Sequence, residues 1–353
     1  MLRNVLGVLL TFFLVSPVFA SDLGLNELDV RAGESIGGFP NWGERLLLTW
    51  INRARVDPQA DLRACGDRCA EAPCYQPVAP LTWTPQLNRA ARFHADEMLK
   101  QGYFGHDSRC RIVPKIDSLY PAGCDGAASC ACVGGNATCP DGDCSMWSER
   151  VGLFGAQASG EVIALGASPD ETFYMWLHES SQVPACGPNG DNIHRWLILS
   201  QHGAVGLGYN DQNRAAVGDF GFGPAPYRIP SGSHFPRQAH AVELWANWYD
   251  TTAPQSAAVV VDGECTSMSL ERGTAKNGAW SATVTGVGSG CHRYYFSFID
   301  ASGREVTYPA TGSLGIGCED WESSRQTASC SVTTTPATPS PVVPSRRRAA
   351  GRR

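Results

Sequence analysis

Four short stretches carry ionisable side chains of the kinds that do chemistry: Phe104-Gly105-His106-Asp107-Ser108, Gly160-Glu161-Val162-Ile163-Ala164, Trp176-Leu177-His178-Glu179-Ser180 and Asn192-Ile193-His194-Arg195-Trp196. Imidazoles and carboxylates ligate divalent metals and move protons once folding brings them together. No spacing rule connects the four stretches, since His106 and Glu161 lie 55 positions apart. Singly, each has a structural explanation. A His after a Gly is a loop residue, and Glu179 near a helix end is solvated. The chain holds no His-Glu-x-x-His and no Ser/His/Asp nucleophile motif.

The elements that must position these residues are readable from periodicity. From Asn41 the apolar residues Leu46, Leu47, Leu48, Trp50, Ile51 and Ala54 repeat at three and four, and Pro58 stops the helix. A second helix has Thr84 as N-cap, Pro85 in its first turn, an apolar face through Leu87, Ala91 and Met98, and Gly102 at its end. His94 lies on that face and reads as a packing residue. A third helix runs from Asp170 to about Ser180, where His178 points away from its neighbour Glu179. A fourth starts near Asn192, and strands follow at Ala204–Tyr209 and Ala215–Phe220. Helices first and strands later predict an α+β domain over residues 41–222, behind a lead-in at 21–40.

From Ala257 the texture changes to short strand-like runs with a hairpin turn at Asp300-Ala301-Ser302-Gly303. A small all-β sandwich closed by disulfides is expected over 257–333, after a proline-containing bridge at 223–256. Residues 334–353 are Thr/Pro-rich and then Arg-rich, the composition of a disordered tail.

Composition excludes several classes. The 353 residues carry 28 basic and 34 acidic side chains. Setting aside Arg3 and five tail arginines leaves 22 basic residues against 34 acidic ones, a body charge of −12. Nucleic-acid binding is not expected of such a body. Residues 1–20, with Arg3, the apolar run Val5–Val15 and Val18 and Ala20, read as a signal peptide, and no transmembrane segment is expected. The mature chain is expected to be secreted, extracellular or periplasmic, or at the cell surface. Its 14 cysteines divide into ten between Cys65 and Cys186 and four between Cys265 and Cys330, even groups that suit disulfides within each domain. Cys130, Cys132, Cys139 and Cys144 carry the competing zinc reading, and Asn136-Ala137-Thr138 is a glycosylation sequon.

Several stretches together resemble the bacterial members of the CAP superfamily, the SCP-like extracellular proteins related to cysteine-rich secretory proteins, antigen 5 and pathogenesis-related proteins. Asn52-Arg53-Ala54-Arg55-Val56-Asp57-Pro58, Pro80-Leu81-Thr82-Trp83 and Leu87…Ala91…His94-Ala95 look like its opening helices. Phe104…His106-Asp107-Ser108, Gly160-Glu161…Ile163-Ala164, Trp176…Glu179 and His194-Arg195 followed by Val205-Gly206-Leu207-Gly208 match its later motifs in order. Gly218-Asp219-Phe220-Gly221 resembles its closing strand. Val162 stands where the family has Asn, and Ile193 where it has Gly. The Cys110–Cys144 loop is longer than the family's.

The resemblance implies a three-layer α-β-α sandwich whose cleft is lined by His106, Glu161, Glu179 and His194. Two neutral imidazoles, His106 and His194, suit Zn²⁺ or another divalent metal. Glu161 and Glu179 would orient them, add ligands or act as bases. Three readings follow: a non-catalytic binder of a metal and a lipid, sterol or other small ligand; a metal-dependent hydrolase or protease using the same four residues, Glu161 and Glu179 being its catalytic candidates; or an adhesive surface protein whose β domain binds a cell surface or glycan through Trp280, Tyr294, Tyr295 or Trp321. Binding is favoured over catalysis.

Overall fold

The computed structural model describes residues 32–109, 111–122, 124 and 145–330. The expected leader, Arg-rich tail, sequon, candidate cysteine zinc ligands and most of the Cys110–Cys144 loop lie outside these residues.

The described residues form a mixed α+β fold with three open sheets. Helix α1 (Trp42–Val56) starts at a capping box in which Asn41 and Glu44 satisfy each other's backbone N–H groups. Asp57 caps α2 (Pro58–Leu62), so Pro58 ends one helix and opens the next. Helix α3 (Pro85–Gln101) closes on Gly102 in the left-handed conformation, φ 67°. Thr84 occupies its N-cap position, yet the Thr84 side chain makes no capping hydrogen bond. Among the described residues the further α-helices are α4 (Ile116–Leu119), α5 (Trp147–Leu153), α6 (Pro169–Leu177) and α7 (Ile193–Leu199). Ser168 and Glu171 form a second capping box on α6, which stops three residues short of the expected Ser180.

The first sheet has the order β1 (Thr82–Trp83), β3 (Ala204–Asn210), β4 (Ala215–Gly221), β2 (Ala158–Leu165). Helix α3 covers one face through Ala91, Ala95 and Met98, which meet Ile163, Ala215 and Val217. Helices α1, α6 and α7 cover the other through Leu47, Trp176 and Leu197, which meet Val162, Leu207 and Phe220. A Cβ added at Gly206 would collide with the α3 backbone at Leu87 and Asn88, and one at Gly208 with Ala91 and Arg92. Those two glycines therefore set how closely helix and sheet approach.

The second sheet is β5 (Gly232–Phe235), β6 (Ala241–Tyr249), β10 (Asn277–Thr285), β9 (Ser269–Thr274). The third is β14 (Trp321–Glu322), β13 (Ser313–Ile316), β11 (His292–Ile299), β7 (Ser256–Val261), β8 (Glu264–Ser267), with β12 (Glu305–Tyr308) also on β11. Their inner faces, Val242, Leu244 and Trp248 against Val259, Phe296 and Phe298, make a β-sandwich core. Residues 223–256, expected as a bridge, supply β5 and β6 to that sandwich. The alternation of Leu244, Ala246 and Trp248 explains why: this face is buried in the second core while Trp245 points back to α1. Helix α1 is thus covered by sheets on both sides, and all its residues are buried.

Burial of so many polar groups on α1 works because each has a partner. Asn52 bonds Leu81 through both its amide atoms. Arg53 pairs with Asp61 at 2.8 Å and lies over the Trp50 ring. Arg55 donates to the carbonyls of Ile198 and Ser200 at the end of α7. The Asn-Arg-Ala-Arg stretch is therefore structural.

Four disulfides are described: Cys65–Cys69, Cys74–Cys186, Cys265–Cys330 and Cys291–Cys318. None crosses from the first cysteine group to the second. Among the described residues no helix is long and apolar enough to cross a membrane.

Candidate paired histidine–glutamate site

The four residues singled out from the sequence form two pairs. His106, in the loop after α3, holds Glu161 of β2 through Nδ1 at 2.8 Å. His194, the second residue of α7, places Nδ1 2.6 Å from a carboxylate oxygen of Glu179, which lies just past α6. Leu197, one turn beyond His194, packs where a Cβ on Gly160 would stand, so α7 lies against β2 next to Glu161. β2 is one of the two edge strands of its sheet.

As donor to an ionised carboxylate, a neutral His106 ring would carry its proton on Nδ1 and present Nε2 outward. Among the described residues neither Nε2 has a hydrogen-bonding partner. His106 is about half exposed at 46%, and His194 at 24%.

Behind each pair stands a fully buried arginine. Arg150 of α5 binds the second oxygen of Glu161, the carbonyl of His106 at 3.0 Å and the hydroxyl of Ser108 at 3.0 Å. Arg195 binds Glu71 at 2.6 Å and donates to the carbonyls of Leu177 and Glu179 and to Cys69 Sγ. The second oxygen of Glu179 accepts the backbone N–H groups of His194 and Arg195 at 2.9 and 3.3 Å. Both carboxylates are thus engaged at both oxygens. Among the described residues no three or more His, Cys, Asp and Glu side chains are grouped to hold an ion.

Burial alone would raise the Glu161 pKa, but the Arg150 charge and the His106 hydrogen bond outweigh it and hold the carboxyl at about 2. Asp219 faces Glu161 across the β2–β4 ladder and is fully buried. Burial first, then the Glu161 charge, push its pKa well above the usual range. Neither Asp219 oxygen makes a hydrogen bond of normal geometry, which fits a neutral acid.

Arg150 and Asp219 were not among the expected site residues. Asp219 had a signal, an acid inside the apolar run Ala215–Gly221. Arg150 had only its position one residue before Val151. The two other candidate histidines are occupied elsewhere. His94 is fully buried, with Nε2 on the Gly105 carbonyl at 2.8 Å and Nδ1 towards Glu97. His178 bonds the Asp61 carbonyl at 2.9 Å.

Large exposed apolar side chains gather in the first block. Phe104 is two residues from His106, Ile193 precedes His194, and Met146 immediately precedes the helix bearing Arg150. Among the described residues none lies beyond Phe222. In the β domain Tyr294 and Tyr295 are buried, while half-buried Trp280 packs on Phe298.

Comparison of the chain with models of known protein families, with curated proteins and with solved structures finds no match.

Proposed function

We propose that this chain is a secreted CAP-superfamily protein that binds a small amphipathic ligand, lipid or sterol in character, without catalysing a reaction. The observation that carries this reading is the pair of His–Glu arrangements, each with Nδ1 tied to a carboxylate, Nε2 free, and an exposed apolar residue nearby in the chain. A carboxylate on Nδ1 is the usual support of a metal-binding imidazole. His106 and His194 would offer Nε2 to a divalent metal such as zinc, whose other positions would fall to water or ligand. Bound there, it would supply Lewis acidity towards a polar head group. Phe104, Met146 and Ile193 would meet the apolar part. The four disulfides suit an oxidising compartment and support export.

Two facts weigh against hydrolysis through the carboxylates. Glu161, held at about 2, is a weak base near neutral pH, and Glu179 gives one oxygen to the His194 and Arg195 N–H groups and sets the other 2.6 Å from the His194 ring. The adhesive reading loses Tyr294 and Tyr295, which are core, and keeps the half-buried Trp280 and Trp321.

The test is metal content and ligand capture by the full chain, with His106→Ala and His194→Ala. About one zinc in wild type, lost in both variants at unchanged thermal unfolding, together with capture of a fluorescent fatty acid or sterol, supports the proposal. No zinc at millimolar concentration and no capture would overturn it.

A further inference from the structure

The segment joining Glu179 to His194 is tied down differently from everything around it. At its start, Ser181 pairs with the Arg68–Ala70 backbone, donating to the Arg68 carbonyl at 2.7 Å and accepting from Ala70 N–H at 3.1 Å. At its end, Asn189 and Asn192 bond each other and Gly187, within the segment itself. Among the described residues no backbone hydrogen bond links residues 182–188 to the rest of the chain. What fixes this stretch is the Cys74–Cys186 disulfide, which bridges 112 positions, with a weak contact from Cys74 Sγ to the Pro184 carbonyl.

The two disulfides of this region differ in access. Cys65 and Cys69 are buried, and Cys69 Sγ lies under the Arg195 guanidinium. Cys186 is exposed. Exposed disulfides are the ones thiols can reach. The His106–Glu161 pair has no such dependence, being fixed by α3, Arg150 and β2.

From these placements we infer that Cys74–Cys186 is a redox latch on the His194 side of the site. The inference rests on the reading of His194 as a site residue and adds a regulation to it. An external dithiol is the reductant. Its thiolate attacks Cys186 Sγ, a new S–S bond forms, and the Cys74–Cys186 bond breaks as Cys74 leaves as a thiolate and takes a proton. The second thiol then attacks the mixed disulfide, closing the dithiol into its own disulfide and releasing Cys186 as a thiol. Two electrons pass from the dithiol to the protein. Opening the latch frees residues 182–188, which border Glu179 and His194, and leaves the other pair in place.

The experiment uses the full chain without metal or ligand, so its result is independent of whether zinc binds. The folded protein is reduced in graded steps with dithiothreitol, the opened cysteines are mapped by mass spectrometry, and Cys74→Ser/Cys186→Ser is studied beside it. Cys74 and Cys186 should open before Cys65 and Cys69. Amide exchange over residues 182–192 should rise about tenfold or more while β2 is unchanged. The ring resonances of His194 should shift and those of His106 should not. Unchanged exchange in both the reduced protein and the variant would overturn the inference. So would equal disturbance of both histidines, or opening of Cys65–Cys69 at the same reductant level. If the variant does not fold, reduction of the folded wild type decides alone.

Discussion

Glu179 holds both the ring and the backbone of His194, with Nδ1 2.6 Å from one carboxylate oxygen and the amide 2.9 Å from the other. One side chain therefore sets the imidazole's orientation and caps the helix that carries it. Glu179→Gln should weaken zinc binding by about 10- to 100-fold and cost about 1 kcal/mol through the cap. Zinc titration calorimetry and urea unfolding read these separately. Full zinc affinity in the variant would mean that the carboxylate does not orient a ligand.

Arg195 and Glu71 form an ion pair in which both side chains are fully buried. Arg195→Met leaves the Glu71 charge alone in the interior, and about 3–5 kcal/mol of stability should be lost. Arg195→Met with Glu71→Gln should recover much of it, because the orphaned charge is gone. A double variant no more stable than Arg195→Met alone would show that the loss comes from the carbonyls Arg195 holds.

Helices α1, α3, α6 and α7 and strands β3 and β4 were legible because their signals are local. The apolar repeat from Leu46 to Ala54 and Pro58 announce α1, and Pro85 and Gly102 bound α3. β5 and β6 were not, since Pro224, Pro226, Pro230 and Pro236 suggested a bridge. Whether such a stretch joins a sheet depends on β10, more than thirty residues on. The candidate His and Glu residues were found only through the order of family-like motifs. Their pairing depends on long-range contacts such as Leu197 on Gly160, and the supporting Arg150 comes from a helix no periodicity revealed.

Gly206 lies where β3 meets the α3 backbone. Gly206→Ala should cost about 1–3 kcal/mol, the penalty of overpacking, because the colliding atoms at Leu87 and Asn88 are main chain and cannot rotate away. Gly37→Ala meets no atoms but has φ 62°, so its smaller cost, about 1 kcal/mol, is conformational. Thermal unfolding of the two variants compares packing with backbone strain. Equal losses would remove the argument for close approach at Gly206.

Phe104 and Ile193 are exposed apolar side chains, each close in sequence to one of the two histidines. Phe104→Ser and Ile193→Ser should leave stability within about 0.5 kcal/mol of wild type, as surface changes do. If they meet the apolar part of a ligand, the double variant should capture a fluorescent fatty acid about tenfold or more less tightly, since a buried Phe or Ile side chain contributes about 1.5–3 kcal/mol. Unchanged capture would place the ligand's apolar part elsewhere.

Glu44 is buried beneath Arg92, with its oxygens accepting the N–H groups of Asn41 and Tyr209, and Asn88 nearby. Burial raises its pKa from 4.5 to about 7 against the opposing Arg92 charge. Between those values the folded chain keeps a proton that the unfolded chain has released, so this contribution to stability is complete below about pH 4.5 and is lost as pH rises through about 7. His202 and His234 act in the opposite sense. Burial lowers them from 6.5 to about 4 and about 3, so their contribution is present above 6.5 and lost as pH falls through the folded values. Comparing wild type with Glu44→Gln isolates the first effect. Urea midpoints measured from pH 4.5 to 7 should fall less with rising pH in the variant. An identical slope in both proteins would show that Glu44 does not exchange its proton in that range.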